Sequence, residues 1–295
     1  MKINRQRPKP ALTIIGAGRL GTALALALSR RGYSIKTLVG RRLAKTKKSA
    51  ALLDASVKVL AAKQFDKLEL TEITIIATPD DEIDTVVHQL QNLGGTSTVL
   101  HTSGALSSSL LSLLAKQGSH TGSIHPLVSV SDPIAGAESF QNAYWCVEGD
   151  LLAVRTAKKL IRDMGGRSFS IDPKVKPLYH AAAVMTAGNV VALFDVAIEM
   201  LERCGLKRSA ARQILLPLLE STVTNLKRSD TSKALTGTFS RGDIATVQRH
   251  LRALAENKLM DALTLYRLLG IRSLKLSERN GLQREVVELI STKLG

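Results

Sequence analysis

A chain of 295 residues, 44% hydrophobic and 22% charged, has the composition of a globular protein large enough for two domains. Its net charge of +16 suits anionic ligands or a solvated basic surface, while only 3% aromatic residues leave few platforms for stacking single-stranded nucleic acid. The two distant cysteines, Cys146 and Cys204, argue against a disulfide scaffold or a cysteine zinc site, so no metal is expected. Met1–Pro10 reads as a basic tail rather than a signal peptide, and the longest uncharged run, Ala181–Phe194, is too short to span a bilayer. A cytoplasmic location follows as an expectation.

Leu12–Ile15 is a short apolar run that leads into Gly16-Ala-Gly18-Arg19-Leu20-Gly21 and then a helical stretch, Thr22–Arg31. This is G-x-G-x-x-G in a strand–turn–helix setting. Gly16 permits a tight turn, Gly18 admits a pyrophosphate, and Gly21 allows close packing of helix on strand. The free amides and positive dipole of the helix start favour phosphate. Ile35–Val39 reads as a second strand ending at Gly40-Arg41-Arg42, with Lys45 one turn on. A carboxylate at that point would bind a ribose 2′-hydroxyl and repel a 2′-phosphate; Arg41 and Arg42 invert the preference and predict NADP(H) rather than NAD(H).

A third strand is expected within Asp54–Leu60 and a fourth at Ile73–Thr78. The fourth runs into Thr78 and Pro79, at the sheet edge where cofactors bind. Asp80, Asp81 and Glu82 follow as helix-capping acids. A fifth strand, Thr98–Thr102, leads to Ser103-Gly104, and Leu106–Lys116 reads as helical. A sixth short strand at Thr121–Pro126 ends with His125. His125 and Ser103 therefore fall at carboxyl ends of strands, where an imidazole could carry a proton and a hydroxyl could position a substrate. His101 reads as a core histidine. A Ser-His hydrolase is a poor reading, since Ser103 lies in no G-x-S-x-G elbow.

A strand at Ala143–Val147, a helix at Leu151–Met164 and a strand at Arg167–Ile171 complete the first domain, and Asp172-Pro173 marks its end. The predicted organisation is a Rossmann-type, mostly parallel α/β sheet over residues 1–172, followed by an all-helical domain over 173–295. Lys174–Cys204 reads as one long helix, apolar on most faces and so expected to be buried. The loop Leu235–Asp243 contains Arg241, a candidate anion contact, and Asp243, a candidate N-cap. His250 reads as structural.

The chain resembles a family of Rossmann-like proteins described mainly as a domain of unknown function. The resemblance rests on Gly16–Gly21, His101–Gly104, His125-Pro126, Tyr179-His180-Ala-Ala-Ala183, Asn189 and Leu235–Asp243. Thr238 stands where that family's pattern has proline. The family is similar in turn to pyrroline-5-carboxylate reductase, ketopantoate reductase, prephenate dehydrogenase and the hydroxyacid dehydrogenases. The resemblance implies a nucleotide-binding domain and a helical domain that often dimerises. By similarity to prephenate dehydrogenases, Ser103 and His125 would hold and deprotonate a substrate hydroxyl. Hydroxyacid dehydrogenases place a lysine four residues before the asparagine; here that residue is Met185, and a thioether transfers no proton. At 100° per residue His180 and Asn189 lie on opposite faces of a straight helix, so both reach one cleft only if it bends near Gly188. Asn189 ranks ahead of His180 by family position.

The sequence thus predicts an NADP(H)-dependent oxidoreductase-like homodimer acting on a small, anionic C–O or C–N substrate. Its cofactor residues are Gly16, Gly18, Arg19, Leu20, Gly21, Arg41, Arg42, Thr78 and Pro79. Its catalytic candidates are His125, Ser103, Asn189 and His180, with Arg241 as a substrate contact. The competing readings are a non-catalytic NADP(H) sensor or assembly protein, and nucleic-acid binding through the basic surface. Neither nucleic acid nor membrane is the expected partner.

Overall fold

The structure, a computed structural model, describes residues 8–53 and 56–295. The expected tail lies mainly outside this range, as do Asp54 and Ala55 of the expected third strand. The chain forms two compact units, Met1–Ala187 and Gly188–Gly295. The first contains β1 (Ala11–Ile15), α1 (Arg19–Arg30), β2 (Ser34–Gly40), α2 (Leu43–Ala50), β3 (Lys58–Ala61), β4 (Ile73–Ile76), α3 (Asp80–Leu93) and β5 (Thr98–His101). It continues with α4 (Ser112–Lys116), β6 (His120–Pro126), α5 (Pro133–Ser139), β7 (Tyr144–Gly149), α6 (Leu151–Asp163), β8 (Arg167–Phe169) and α7 (Lys176–Thr186).

The eight strands lie in the order β3-β2-β1-β4-β5-β6-β7-β8. All neighbours are parallel except β6 and β7. The central strands β1, β4 and β5 are buried along nearly their whole length because helices cover both faces. Leu12, Ile14, Ile73 and Ile75 pack with α1 and α6 on one face. Ile15, Ile76 and Val99 pack with Ile83, Val87 and Leu90 of α3 on the other. Aspartates start two of the helices: Asp132 accepts from the amides of Ile134 and Ala135, and Asp150 from those of Leu152 and Ala153. The sheet order reverses between β1 and β4, which puts a crevice at their carboxyl ends.

Four expectations change here. Leu106–Lys116 is not one helix but a 3-10 turn, Ser108–Leu111, followed by the short α4. The long helix is divided at Ala187, where ψ falls to −78°. The boundary between compact units falls at that break rather than at Asp172-Pro173, because Lys176 on α7 is buried within the sheet unit. Nor is the stretch buried. Leu178 and Val191 are 74% and 70% exposed, although by length and composition Pro173–Arg203 would suffice to cross a membrane.

The second unit is helical, as expected: α8 (Gly188–Arg203), α9 (Arg208–Arg228), α10 (Thr231–Ala234), α11 (Ile244–Glu256), α12 (Met260–Arg279) and α13 (Arg284–Leu294). Its core joins Val247 of α11, Leu274 of α12 and Ile290 and Leu294 of α13.

The tightest backbone approach in the sheet unit is between α1 and the turn before it. A Cβ at Gly21 would stand 1.9 Å from the Gly16 carbonyl oxygen, and one at Gly18 would meet nothing within 4 Å. Gly21→Ala should therefore lower the unfolding free energy by about 1–3 kcal/mol or more, while Gly18→Ala costs clearly less. Denaturant unfolding of the two variants checks this; equal losses would contradict it.

Candidate functional site

A crevice of about 640 Å³ opens at the carboxyl ends of β1, β2 and β4. Gly16 (φ +110°) turns the chain out of β1, and its amide and that of Ala17 donate to the Val39 carbonyl at 2.8 and 3.1 Å. This turn fits only glycine, since a Cβ on Gly16 would strike the Ala77 carbonyl at 2.4 Å. Helix α1 starts at Gly18 with no side-chain cap, so its first amides face the crevice end of the helix without a local acceptor. Thr78 Oγ1 is buried without a hydrogen-bond partner beside the same space. Free amides, a glycine that leaves room and an unpartnered hydroxyl fit a dinucleotide phosphate.

Gly16, Gly18, Arg41, Arg42, Thr78 and Pro79 line the crevice, joined by Lys45, Thr46, Phe65 and Glu82. Arg19, Leu20 and Gly21 do not. Arg19 is exposed, Leu20 packs against the core, and Gly21 serves the helix–strand contact. Arg41 forms an ion pair with Glu82. Glu82 is thus more than a capping acid: it partners the guanidinium expected to hold a 2′-phosphate.

A second cluster lies at the ends of β5 and β6. His125 Nδ1 is 2.7 Å from the Tyr179 hydroxyl. The His125 and His180 rings meet edge to face at 5.6 Å. Gly104 closes the arrangement, because a Cβ there would stand 2.8 Å from His125 Nε2 and 2.5 Å from His180 Cδ2. Nε2 of His125 therefore lies against the Gly104 backbone, and Nδ1 is occupied by the Tyr179 hydroxyl. Burial first, then His180 and Lys176, push the His125 pKa down to about 4, so the ring is uncharged at neutral pH. Burial raises the Tyr179 pKa.

Ser103 plays a different part from the expected one. Its hydroxyl donates to Asp80 Oδ2 at 2.8 Å and accepts the amides of Ala105 and Leu106 at 3.2 and 3.0 Å. One donor and two acceptor positions are then all in use. Ser103 shapes the loop after β5 and ties it to the first residue of α3; the partner of His125 is Tyr179. Asp80 also exceeds its expected capping role. His101 is fully buried, as expected of a core histidine. Its Nδ1 accepts the Ser103 amide at 3.2 Å, while Nε2 has no partner. Burial, followed by Lys176, lowers its pKa to about 4.

The two helix candidates fall in different units. His180 on α7 meets His125, whereas Asn189 is an exposed residue of α8 in the helical unit. In that unit Arg241 is exposed in the loop before α11. Asp243 caps that helix by accepting the Thr246 amide at 3.0 Å, so the loop is built as a helix connection. Sequence reasoning missed Lys176, Glu148, Glu82 and the role of Tyr179. Only the Tyr179-His180 pair carried a sequence signal.

Residues 2–126 match the family profile of a Rossmann-like domain, and residues 143–273 match that of a domain of unknown function (DUF2520). No curated protein matches the chain. Among solved structures, a Thermotoga maritima protein is 24% identical, with a TM-score of 0.71 over 91% of this chain and 99% of its own. Pyrroline carboxylate reductase of Plasmodium falciparum, with NADP bound, is 14% identical, with a TM-score of 0.61 over 98% of this chain and all of its own. Prephenate dehydrogenase of Aquifex aeolicus is 16% identical, with a TM-score of 0.53 over 96% of both chains. The fold therefore resembles that of NADP-dependent oxidoreductases.

The two depressed histidines set a pH dependence. Both have folded pKa values near 4, against about 6.5 when unfolded. Between these values the unfolded chain binds more protons, so stability is greatest above pH 6.5 and falls as pH drops toward 4. The loss approaches about 3 kcal/mol per histidine. Urea unfolding at pH 7, 5.5 and 4.5 should show it, with a shallower slope in His125→Gln. A flat profile would contradict the burial of both rings.

Proposed function

We propose that the chain binds NADP(H) and transfers a hydride to or from a small, anionic C–O or C–N substrate. The crevice of the sheet unit carries this reading: it combines the glycine turn, the uncapped start of α1 and the cations Arg41, Arg42 and Lys45 in one space of about 640 Å³. The solved neighbour with NADP bound supports it. When bound, the nicotinamide supplies the hydride donor or acceptor. The chain's own contribution is to hold the 2′-phosphate with Arg41 and Arg42 and to move a proton at His125 Nε2. An uncharged His125 is ready to take a proton from a substrate hydroxyl or amine, with Tyr179 orienting the ring through Nδ1. The basic surface favours an anionic substrate.

Glu82 tempers Arg41. A 2′-phosphate must take the guanidinium from this carboxylate, so the exchange costs part of the gain, and Glu82 itself repels the anion. Fluorescence titration should show NADPH binding more tightly than NADH, with Arg41→Ala/Arg42→Ala losing that preference by about 10- to 100-fold. Glu82→Gln should strengthen NADPH binding severalfold without strengthening NADH. His125→Ala should abolish turnover and spare cofactor binding. Binding with no turnover on any carbonyl or imine would select a cofactor sensor instead. No binding of either cofactor, with nucleic acid retained at low salt, would move the function to the basic surface.

In this reading the protein works as a homodimer. Nine of the twenty-four exposed large hydrophobics among the described residues fall between Val190 and Leu226, within the helical unit. Apolar surface of that density marks an interface. Pro173–Arg203 has the length and composition to cross a membrane, but its helix is interrupted at Ala187 and each part alone is shorter than a span of roughly 20 residues. A second copy is therefore the occupant proposed for the α8–α9 surface. Sedimentation should give a dimer, and Val191→Asp/Leu218→Asp a folded monomer. A wild-type monomer that binds liposomes would overturn this.

A further inference from the structure

The sheet unit holds a charged pair that the proposed chemistry does not use. Lys176 is fully buried and Glu148 nearly so. The ammonium donates to Glu148 Oε1 and to the Ser103 carbonyl, each at 3.3 Å, and to Ser123 Oγ. Glu148 is held from its other side by the amide and hydroxyl of Ser108, both at 2.7 Å. Glu148 and Ser123 face each other across the antiparallel β6–β7 pair, and the ammonium reaches between them. The carbonyl it binds belongs to the loop whose next residue, Gly104, lies against His125 and His180.

A buried ion pair is a poor source of net stability, because desolvating both charges offsets much of their attraction. Its use here is geometric. Lys176 is the first residue of α7, and Tyr179 and His180 follow three and four positions later, on the same face of the helix. We propose that Lys176 is a positioning residue whose buried ammonium pins the first turn of α7 to β6, β7 and the loop after β5, so that Tyr179 is set on His125 Nδ1 and His180 on its edge. The segment before it, Asp172-Pro173-Lys174-Val175, has largely exposed side chains, so the ammonium is the polar anchor of this turn. The groups that face His125 are Tyr179, His180 and Lys176 on α7, Cys146 on β7 and Asp80 on α3. The positive charge of Lys176 adds to burial in keeping the imidazole uncharged.

The test reads the His125 ring directly and involves neither cofactor nor turnover, so its outcome is separate from the cofactor reading. The full chain is labelled with 15N-histidine, and the ring nitrogens are followed by NMR against pH. The wild type should show His125 neutral down to about pH 4, with one nitrogen shifted by its hydrogen bond. Lys176→Met alone strands a buried carboxylate and endangers the fold, so Lys176→Met/Glu148→Gln removes both charges together. This variant should fold, lose the Nδ1 hydrogen-bond signature and raise the His125 pKa by about one unit. Ser123→Ala, a small deletion of one acceptor, should weaken the same signature less. It decides the question if the double variant does not fold. A folded double variant, or Ser123→Ala, whose His125 signature and titration match the wild type overturns the proposal.

Discussion

The close approach of α1 to the turn that precedes it constrains the sheet unit more than any other contact. Backbone meets backbone there, with no side chain between Gly21 and the Gly16 carbonyl. That contact sets where α1 begins. The start of α1 determines where the unsatisfied amides lie, and they open onto the crevice formed by the reversal of strand order between β1 and β4. A residue with a Cβ at position 21 would move the start of the helix and its free amides together.

The carboxyl edge of the sheet carries two electrostatic environments side by side. Around the glycine turn the charges are exposed, and Arg41 and Glu82 pair in a setting where water screens them. Around His125 they are buried, and one ammonium influences groups on three elements. The first environment suits reversible exchange of one anion for another. The second suits a ring kept uncharged and fixed in orientation. The fold supplies both from neighbouring strand ends.

Much of this was legible in the sequence, for identifiable reasons. Gly16 and Gly21 stand where no other residue fits, so their spacing carries information that composition does not. The central strands read as mainly apolar runs because both faces are covered. His125, ahead of Pro126 at a strand end, could be placed without knowing its neighbours. The rest depends on contacts distant in sequence. Glu82 is 41 residues from Arg41, and Glu148 is 28 from Lys176. Lys176 sits in a stretch with Lys174 that reads as solvated surface, and nothing local distinguishes the buried lysine from the exposed one. Ser103 was found but misassigned, since a hydroxyl at a strand end serves a substrate and a loop equally well until its partners are known. The break at Ala187 involves no proline, so periodicity carried straight through it.

The division of the long helix explains why α7 belongs with the sheet. A helix running unbroken from Lys176 to Arg203 would tie the orientation of Tyr179 to the packing of the helical unit. The interruption at Ala187 ends α7 within the sheet unit, where the first part of the helix makes its own contacts. Those contacts are the ring contacts of Tyr179 and His180 and the polar bonds of Lys176 and Tyr179. Leu178 and Met185 are exposed, and apolar burial contributes little on this helix. With the hydrophobic term so small, directional bonds decide where the helix sits, and the strongest of them is the buried ammonium. A lysine there costs desolvation that a leucine would not, but a leucine could not choose between the Ser103 carbonyl, Ser123 and Glu148 as partners. The charge therefore fixes the helix in rotation as well as in depth, and rotation determines which side chain faces His125.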